Sequence, residues 1–203
     1  PRHLGQVSWR FLVDQSGEVE TWTAMLASRR TFLAMPVGPN RLYRYADLAT
    51  AATEDPTGRD RGRFLALFAD FGEPVPSILS GLGNFDSIYF SPIEEVVLDS
   101  SICGRVVLLG DAAHATSPNM AEGASMALED ALVLAQMLAM HTSLEEALSA
   151  FTKRRRTRIR WVQQRTHRRD QIRALPSSLR NLALRLAGTA IYQRDYRMLF
   201  EKP

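Results

Sequence analysis

A run of four apolar residues, Val106-Val107-Leu108-Leu109, stops at Gly110-Asp111, and Gly123-Ala124-Ser125 opens a second, longer apolar segment a few residues on. The first run has the mark of a strand buried on both faces. A carboxylate just past the carboxy end of such a strand faces the crevice in which open sheets hold their ligands, where it can accept hydrogen bonds from a polyol. Asp111 is so placed. The first free amides of the following helix, near Ala121 to Ala124, offer positive potential to an anionic or electron-rich group. Gly123 and the small Ala121, Ala124 and Ser125 let a flat ring approach the backbone closely. Any sugar-bearing or anionic cofactor satisfies this chemistry, and the residues alone do not choose one.

Other chemistry-bearing residues read more simply. His114 sits in a tight loop and is expected to be a hydrogen-bonded structural residue rather than an acid or base. Glu129 and Asp130 are the only interior charges of the long apolar segment and are expected to answer charge on neighbouring elements. Arg10, next to Trp9, reads as half of an ion pair. Trp9, Trp22 and Trp161 read as core or interface aromatics. Lys153, Arg154, Arg155, Arg156, Arg158 and Arg160 crowd one segment. Clustered arginine can recognise phosphate, but helix-spaced apolar residues run through the same stretch, so the expectation is the solvated face of a helix. With a formal net charge of only +3 and no recognisable motif, nucleic acid is not an expected partner.

The elements that must hold these residues follow from periodicity. Val7, Trp9, Phe11 and Val13 alternate with Ser8, Arg10 and Leu12, the period of a strand with one buried face, from Gln6 to Asp14. Asp14-Gln15-Ser16-Gly17 reads as the turn that ends it. Thr31 to Val37 and Arg41 to Ala46 flank Gly38-Pro39-Asn40 as a hairpin. A short helix is predicted over Arg61 to Phe71, where Phe64, Leu65, Leu67 and Phe68 recur at helical spacing. Glu122 to Met140 is apolar nearly all round and reads as a helix enclosed on all sides. Ser143-Leu144-Glu145-Glu146 matches a capping box opening a long helix with Leu144, Ala147, Leu148, Phe151, Ile159 and Val162 on one face and arginines on the other. After Pro176 a last helix carries Leu179, Leu182, Leu186 and Ile191.

An apolar fraction of 45% with 23% charged residues is that of an ordinary globular chain. No uninterrupted apolar stretch is long enough to cross a bilayer, and the start lacks a secretory signal, so a cytoplasmic protein with no membrane partner is expected. Cys103 is the single cysteine, and neither a disulfide nor a metal site is expected.

The stretch Gly104-Arg105-Val106-Val107-Leu108-Leu109-Gly110-Asp111-Ala112-Ala113-His114, followed by Pro118 and Gly123-Ala124, resembles the second flavin motif of FAD-dependent aromatic-ring monooxygenases of the para-hydroxybenzoate and salicylate hydroxylase type. Ser8-Trp9-Arg10 resembles a strand of that family's substrate-covering sheet, and Phe151 to Arg156 its long helix after the motif. The resemblance implies an α+β fold: an antiparallel substrate-covering sheet with a short helix over residues 1–98. Residues 99–203 would then form the helical C-terminal part of a Rossmann-like FAD-binding domain. It also implies FAD contacts at Gly110, Asp111 (to the ribityl chain), Pro118 (beside the ring) and Gly123, Ala124 and Ser125 (amides facing the pyrimidine). The implied reaction hydroxylates a small aromatic substrate with NADH or NADPH and O2, and the residues name no catalytic base. Ala121-Glu122-Gly123 stands where the family often has Gly-Gln-Gly. The family's opening Gly-x-Gly-x-x-Gly turn has no counterpart, since Gly81-Leu82-Gly83 lacks the third glycine and a following apolar-periodic helix. The expectation is a fragment whose partner is a missing N-terminal half or a homodimer mate; the rival is a non-catalytic scaffold or half of a split flavoprotein.

Overall fold

The alternation along the first strand sets up the sheet. In a computed structural model, which describes residues 1–14 and 19–202, β1 (Arg2–Asp14) buries Val7, Trp9, Phe11 and Val13 while Leu12 faces outward. The turn expected at Asp14-Gln15-Ser16-Gly17 lies, past Asp14, outside the described residues. β2 (Thr23–Ala27), β3 (Arg30–Gly38), β4 (Arg41–Ala49) and β5 (Tyr89–Glu95) complete a five-stranded sheet in the order β2-β3-β4-β1-β5. Its β2–β3, β3–β4 and β1–β4 pairs are antiparallel, with Trp9 and Phe32 both opposite Ala46. β3 and β4 form the expected hairpin, with Asn40 in the left-handed region (φ 58°) where asparagine is tolerated.

Two helices follow. α1 (Arg61–Leu67) starts where the Asp60 side chain accepts a 2.7 Å hydrogen bond from the Arg63 amide. It is shorter than the expected Arg61 to Phe71: the Phe68 amide turns back to Leu65 and ends it. Phe68 and Phe71 still enter the core, because the turn after the helix carries them onto the same aromatic cluster, with Phe64 and Phe68 ring centroids 5.3 Å apart. α2 (Val75–Ser80) is capped by Gly81, so Gly81-Leu82-Gly83 closes a helix rather than opening one around a phosphate. His3–Ile93 make up one compact unit around this aromatic and aliphatic core.

The other unit holds Pro1–Arg2 and the chain from Glu94 onward. β6 (Ile102–Cys103) and β7 (Val106–Val107) pair antiparallel, and α3 (Asp111–His114) is a single turn. α4 (Gly123–Met140), α5 (Leu144–Ala174) and α6 (Ser177–Tyr196) form the bulk. Ser143 caps α5, accepting from the Glu146 amide at 3.4 Å. Val133 and Met137 of α4 pack with Ala147 and Phe151 of α5.

Three expectations fail in this unit. The run Val106–Leu109 is not enclosed: Val106 is 62% exposed and Leu108 39%. Burial on both faces needs flanking strands and covering layers, and among the described residues the run pairs with β6 alone. α4 is not enclosed on all sides either. It buries a stripe of Met126, Asp130, Val133 and Met137, while Leu128 (73%) and Leu132 (51%) face out. The arginines of α5 are not all solvated, since Arg155 (1%) and Arg158 (5%) are buried. Leu179, Leu182 and Leu186 of α6 are exposed, and the buried residues of that helix are Arg180 and Asp195. Among the described residues, α4 alone is long and apolar enough by composition to cross a membrane.

Candidate functional site

Glycine at position 110 is dictated locally. Its φ of 58° disfavours any side chain, and an added Cβ would lie 3.0 Å from the Ala127 Cβ. The close approach lets the strand end turn directly into α3, whose Ala113 and His114 amides both donate to the Gly110 carbonyl at 2.9 Å. The Gly110 amide itself donates to Asp130 Oδ2 at 2.8 Å. His114 Nε2 meets the same oxygen at 2.7 Å, and Arg155 Nε donates to Oδ1 at 2.7 Å. Asp130 therefore ties the strand end, α3 and α5 together from the middle of α4. Burial alone would lift its carboxyl, but the hydrogen bonds from His114, Gly110 and Arg155 outweigh that and hold it below the usual aspartate range. Arg155 also bridges Glu129, which Arg158 contacts at 3.1 Å. His114, Glu129 and Asp130 play the structural parts expected of them.

With Asp130 committed inward, Asp111 is left facing out. Its carboxylate is exposed at the start of α3, and the position of a Cβ on Gly123 would be 3.6 Å from Asp111 Oδ1. The carboxylate after the strand and the start of α4 thus lie side by side, twelve residues apart in sequence. Between them runs a loop with a 3-10 turn at Pro118–Met120, and Ala121 follows in the left-handed region at φ 57°. Gly123, Ala124 and Ser125 are exposed, and no side chain caps the helix start. Asp111, Gly123, Ala124 and Ser125 are brought together, Gly110 lies buried behind Asp111, and Pro118 sits half-buried on the connecting loop.

The arrangement presents acceptors on one side and unsatisfied amides on the other. An acceptor carboxylate suits a polyol, and exposed amides at a helix start, with the helix dipole behind them, suit an electron-rich ring edge or an anion. Thr116 Oγ1, Ser117 Oγ and Asn119 Oδ1 on the loop are buried with no hydrogen-bond partner among the described residues, so the loop keeps polar capacity that its own fold does not use. The residues present fit a flavin nucleotide in these respects. Glu122 departs from that chemistry. Burial raises its carboxyl above the ordinary glutamate value, partly offset by a hydrogen bond from Ser125.

Sequence reasoning missed the buried Arg155 and the pair Arg169 and Tyr196, which reach the loop from α5 and α6. A signal for Arg155 existed: two carboxylates inside an apolar helix require a cationic partner. In the sheet unit, Arg10 lies over the Tyr89 ring, 5.8 Å from its centroid, a contact with an aromatic face rather than with the expected carboxylate. Trp9 is core, Trp22 is exposed, and Trp161 lies under Arg165. Among the described residues no three metal-ligating side chains come together.

The same chain can be compared with known proteins. It is 31% identical over 208 residues to 2-heptyl-3-hydroxy-4(1H)-quinolone synthase of Pseudomonas aeruginosa, covering 98% of this chain and 54% of that one. It is 32% identical over 161 residues to aurachin C monooxygenase/isomerase of Stigmatella aurantiaca, covering 74% of this chain and 40% of that one. Its fold matches Klebsiella pneumoniae HpxO complexed with FAD and uric acid at a TM-score of 0.83 and 24% identity, over 98% of this chain and 54% of that one. A salicylate hydroxylase substrate complex matches at a TM-score of 0.76 and 22% identity, over 98% and 54%. The chain spans about half the length of the curated relatives it matches. The FAD binding domain family matches residues 15–166, and the chain, an α+β fold of the para-hydroxybenzoate hydroxylase type, belongs to that family.

Proposed function

We propose that this chain belongs to an FAD-dependent monooxygenase that hydroxylates an aromatic or similar small organic substrate with NADH or NADPH and O2. The observation that carries the reading is the placement of the Asp111 carboxylate beside the uncapped start of α4. Asp111 would accept a hydrogen bond from a ribityl hydroxyl, Gly110 and Gly123 would keep the backbone close, and Pro118 would border the ring. The amides of Gly123, Ala124 and Ser125 would face the pyrimidine, where their positive potential would stabilise negative charge. FAD, when bound, supplies the hydride acceptance from the nicotinamide and the activation of O2. The chain's own contribution is positioning and charge stabilisation, in a cytoplasmic enzyme. The sheet unit supplies the substrate-domain part, and the alkyl-quinolone and urate chemistry named for its relatives sets the size of substrate to try first.

The test is equilibrium FAD titration of the intact protein beside melting curves of its apo form. A hydrogen bond to a charged group contributes about 1.5–3 kcal/mol, so Asp111→Ala should bind FAD roughly ten- to a hundredfold more weakly, and Asp111→Asn less so. Wild-type affinity in Asp111→Ala would sink the assignment.

A second reading, in which the polypeptide serves as one half of a split flavoprotein or as a scaffold, draws on the exposed Val106, Leu108, Leu128 and Leu132 around the same elements. Mass spectrometry of the native protein separates the readings: residues continuous with Pro1 favour a single enzyme, and a second polypeptide that co-purifies favours the split form.

A further inference from the structure

The bend that leads from Pro118 into α4 is held from outside. Ala121 occupies the left-handed region at φ 57°, which alanine adopts only at a steric cost. Such a conformation persists where the surroundings over-determine it. Here the two carbonyls immediately before it are both gripped by distant residues. Arg169 NH1 of α5 donates to the Asn119 carbonyl at 2.9 Å, and the Tyr196 hydroxyl at the end of α6 donates to the Met120 carbonyl at 3.3 Å. The two grips are joined: the same Arg169 nitrogen donates to the Tyr196 hydroxyl at 3.0 Å, and its guanidinium lies 5.0 Å from the Tyr196 ring centroid. Asp195, fully buried, sits 3.6 Å from both Arg165 and Arg169 and fixes the arginine in turn. Asn119 adds a third tether, donating from Nδ2 to the Thr166 carbonyl at 3.0 Å.

We infer that Arg169 and Tyr196 are positioning residues for the cofactor: they clamp the Asn119–Met120 carbonyls, hold Ala121 in its left-handed bend, and so aim the free amides of the α4 start. The inference rests on the flavin reading of that site. The clamp grips main chain at the one point where the loop must reverse to present Gly123, Ala124 and Ser125. The loop does little to hold itself, since Thr116 Oγ1, Ser117 Oγ and Asn119 Oδ1 find no hydrogen-bond partner among the described residues.

The test uses the intact protein with FAD as the probe. Tyr196→Phe keeps the ring over Arg169 and deletes only the hydroxyl; Arg169→Met removes the grip on the Asn119 carbonyl and the arginine's bond to Tyr196. Each should weaken equilibrium FAD binding, Tyr196→Phe by roughly three- to tenfold, the worth of one ordinary hydrogen bond. Adding Ala121→Gly to either should restore most of the lost affinity, because glycine takes the left-handed bend unaided. A fall in the melting temperature of the apo-protein with unchanged FAD affinity overturns the proposal, as does a loss of affinity that Ala121→Gly does not recover. Asp111→Ala run alongside separates the two readings. If it weakens FAD binding while Tyr196→Phe and Arg169→Met do not, the clamp alone is wrong; if none of the three does, the flavin site itself is misplaced.

Discussion

The two units are stabilised by different chemistry. In the sheet unit the largest fully buried side chains are, beside Arg44, aromatic or aliphatic: Trp9 meets Phe64 and Phe68, and Phe68 meets Phe32 and Phe64, with ring centroids 5.3–6.3 Å apart. Each such residue contributes roughly 1.5–3 kcal/mol on burial, and this core closes on itself. In the helical unit the largest fully buried side chains are Arg155, Arg180, Met120 and Glu95, while leucines of α4 and α6 face outward. Glu95 is held by His167 at 2.5 Å and Arg2 at 2.7 Å. Buried charge costs free energy unless paired, so this unit relies on ion-pair networks beside a small apolar core of Val133, Met137, Ala147 and Phe151. Apolar area can be trimmed by degrees, whereas a network fails when one member is removed, and the candidate site sits on the network.

The largest expected effect tests that contrast at Arg155. Its guanidinium satisfies both Asp130 and Glu129, so Arg155→Gln leaves buried Asp130 without its guanidinium and Glu129 with Arg158 alone, and should cost about 3–5 kcal/mol in a denaturant titration. Arg156→Gln, one residue on and exposed, should change stability by only about 0.5 kcal/mol. Equal and small effects at both positions would erase the distinction between the units.

The exposed face of α4 gives the next comparison. Met137 is buried against α5, and Met137→Ala should cost roughly 2–5 kcal/mol. Leu132 is half exposed, and Leu132→Ala in this chain should cost about 0.5 kcal/mol. If thermal or denaturant unfolding of the intact protein shows a Leu132→Ala cost as large as that of Met137→Ala, that face is covered there, and the helical unit has apolar packing beyond what this chain provides.

What could be read from the sequence follows the same division. Val7, Trp9, Phe11 and Val13 declare a strand because alternation is a local property, and β3 and β4 declare a hairpin because Gly38-Pro39-Asn40 punctuates them. β2 was not legible, since the five residues of Thr23–Ala27 are all exposed or half-buried and carry no clear period. In the helical unit the motif Gly110-Asp111 pointed to the place, because turn chemistry is local too. Burial there was misjudged for a physical reason: apolarity says what a face prefers, not whether this chain brings a partner to it, so Val106 and Leu128 read as enclosed and stand exposed. The Arg155 network and the Arg169–Tyr196 clamp escaped because each joins residues 25 to 76 positions apart.

The smallest expected effect is a pH dependence with opposite signs on two carboxylates of α4 and its start. Asp130 has its folded value held below 3.8, so its contribution to stability is fully present above that ordinary value and is lost as pH falls through the depressed one. Glu122 has its folded value raised above 4.5, so its contribution is fully present below that ordinary value and is lost as pH rises through the raised one. Unfolding titrations across the acid range should therefore show Asp130→Asn removing part of the loss on acidification, and Glu122→Gln removing a shallow loss on the way up toward neutrality. In the flavin reading, Glu122→Gln has a second readout. It takes a carboxylate away from the helix start that would face the pyrimidine, so the reduced form of bound FAD should gain stability relative to the oxidised form and the midpoint potential should rise. An unchanged potential together with the altered pH profile would place Glu122 in the packing of the helix start and away from the ring.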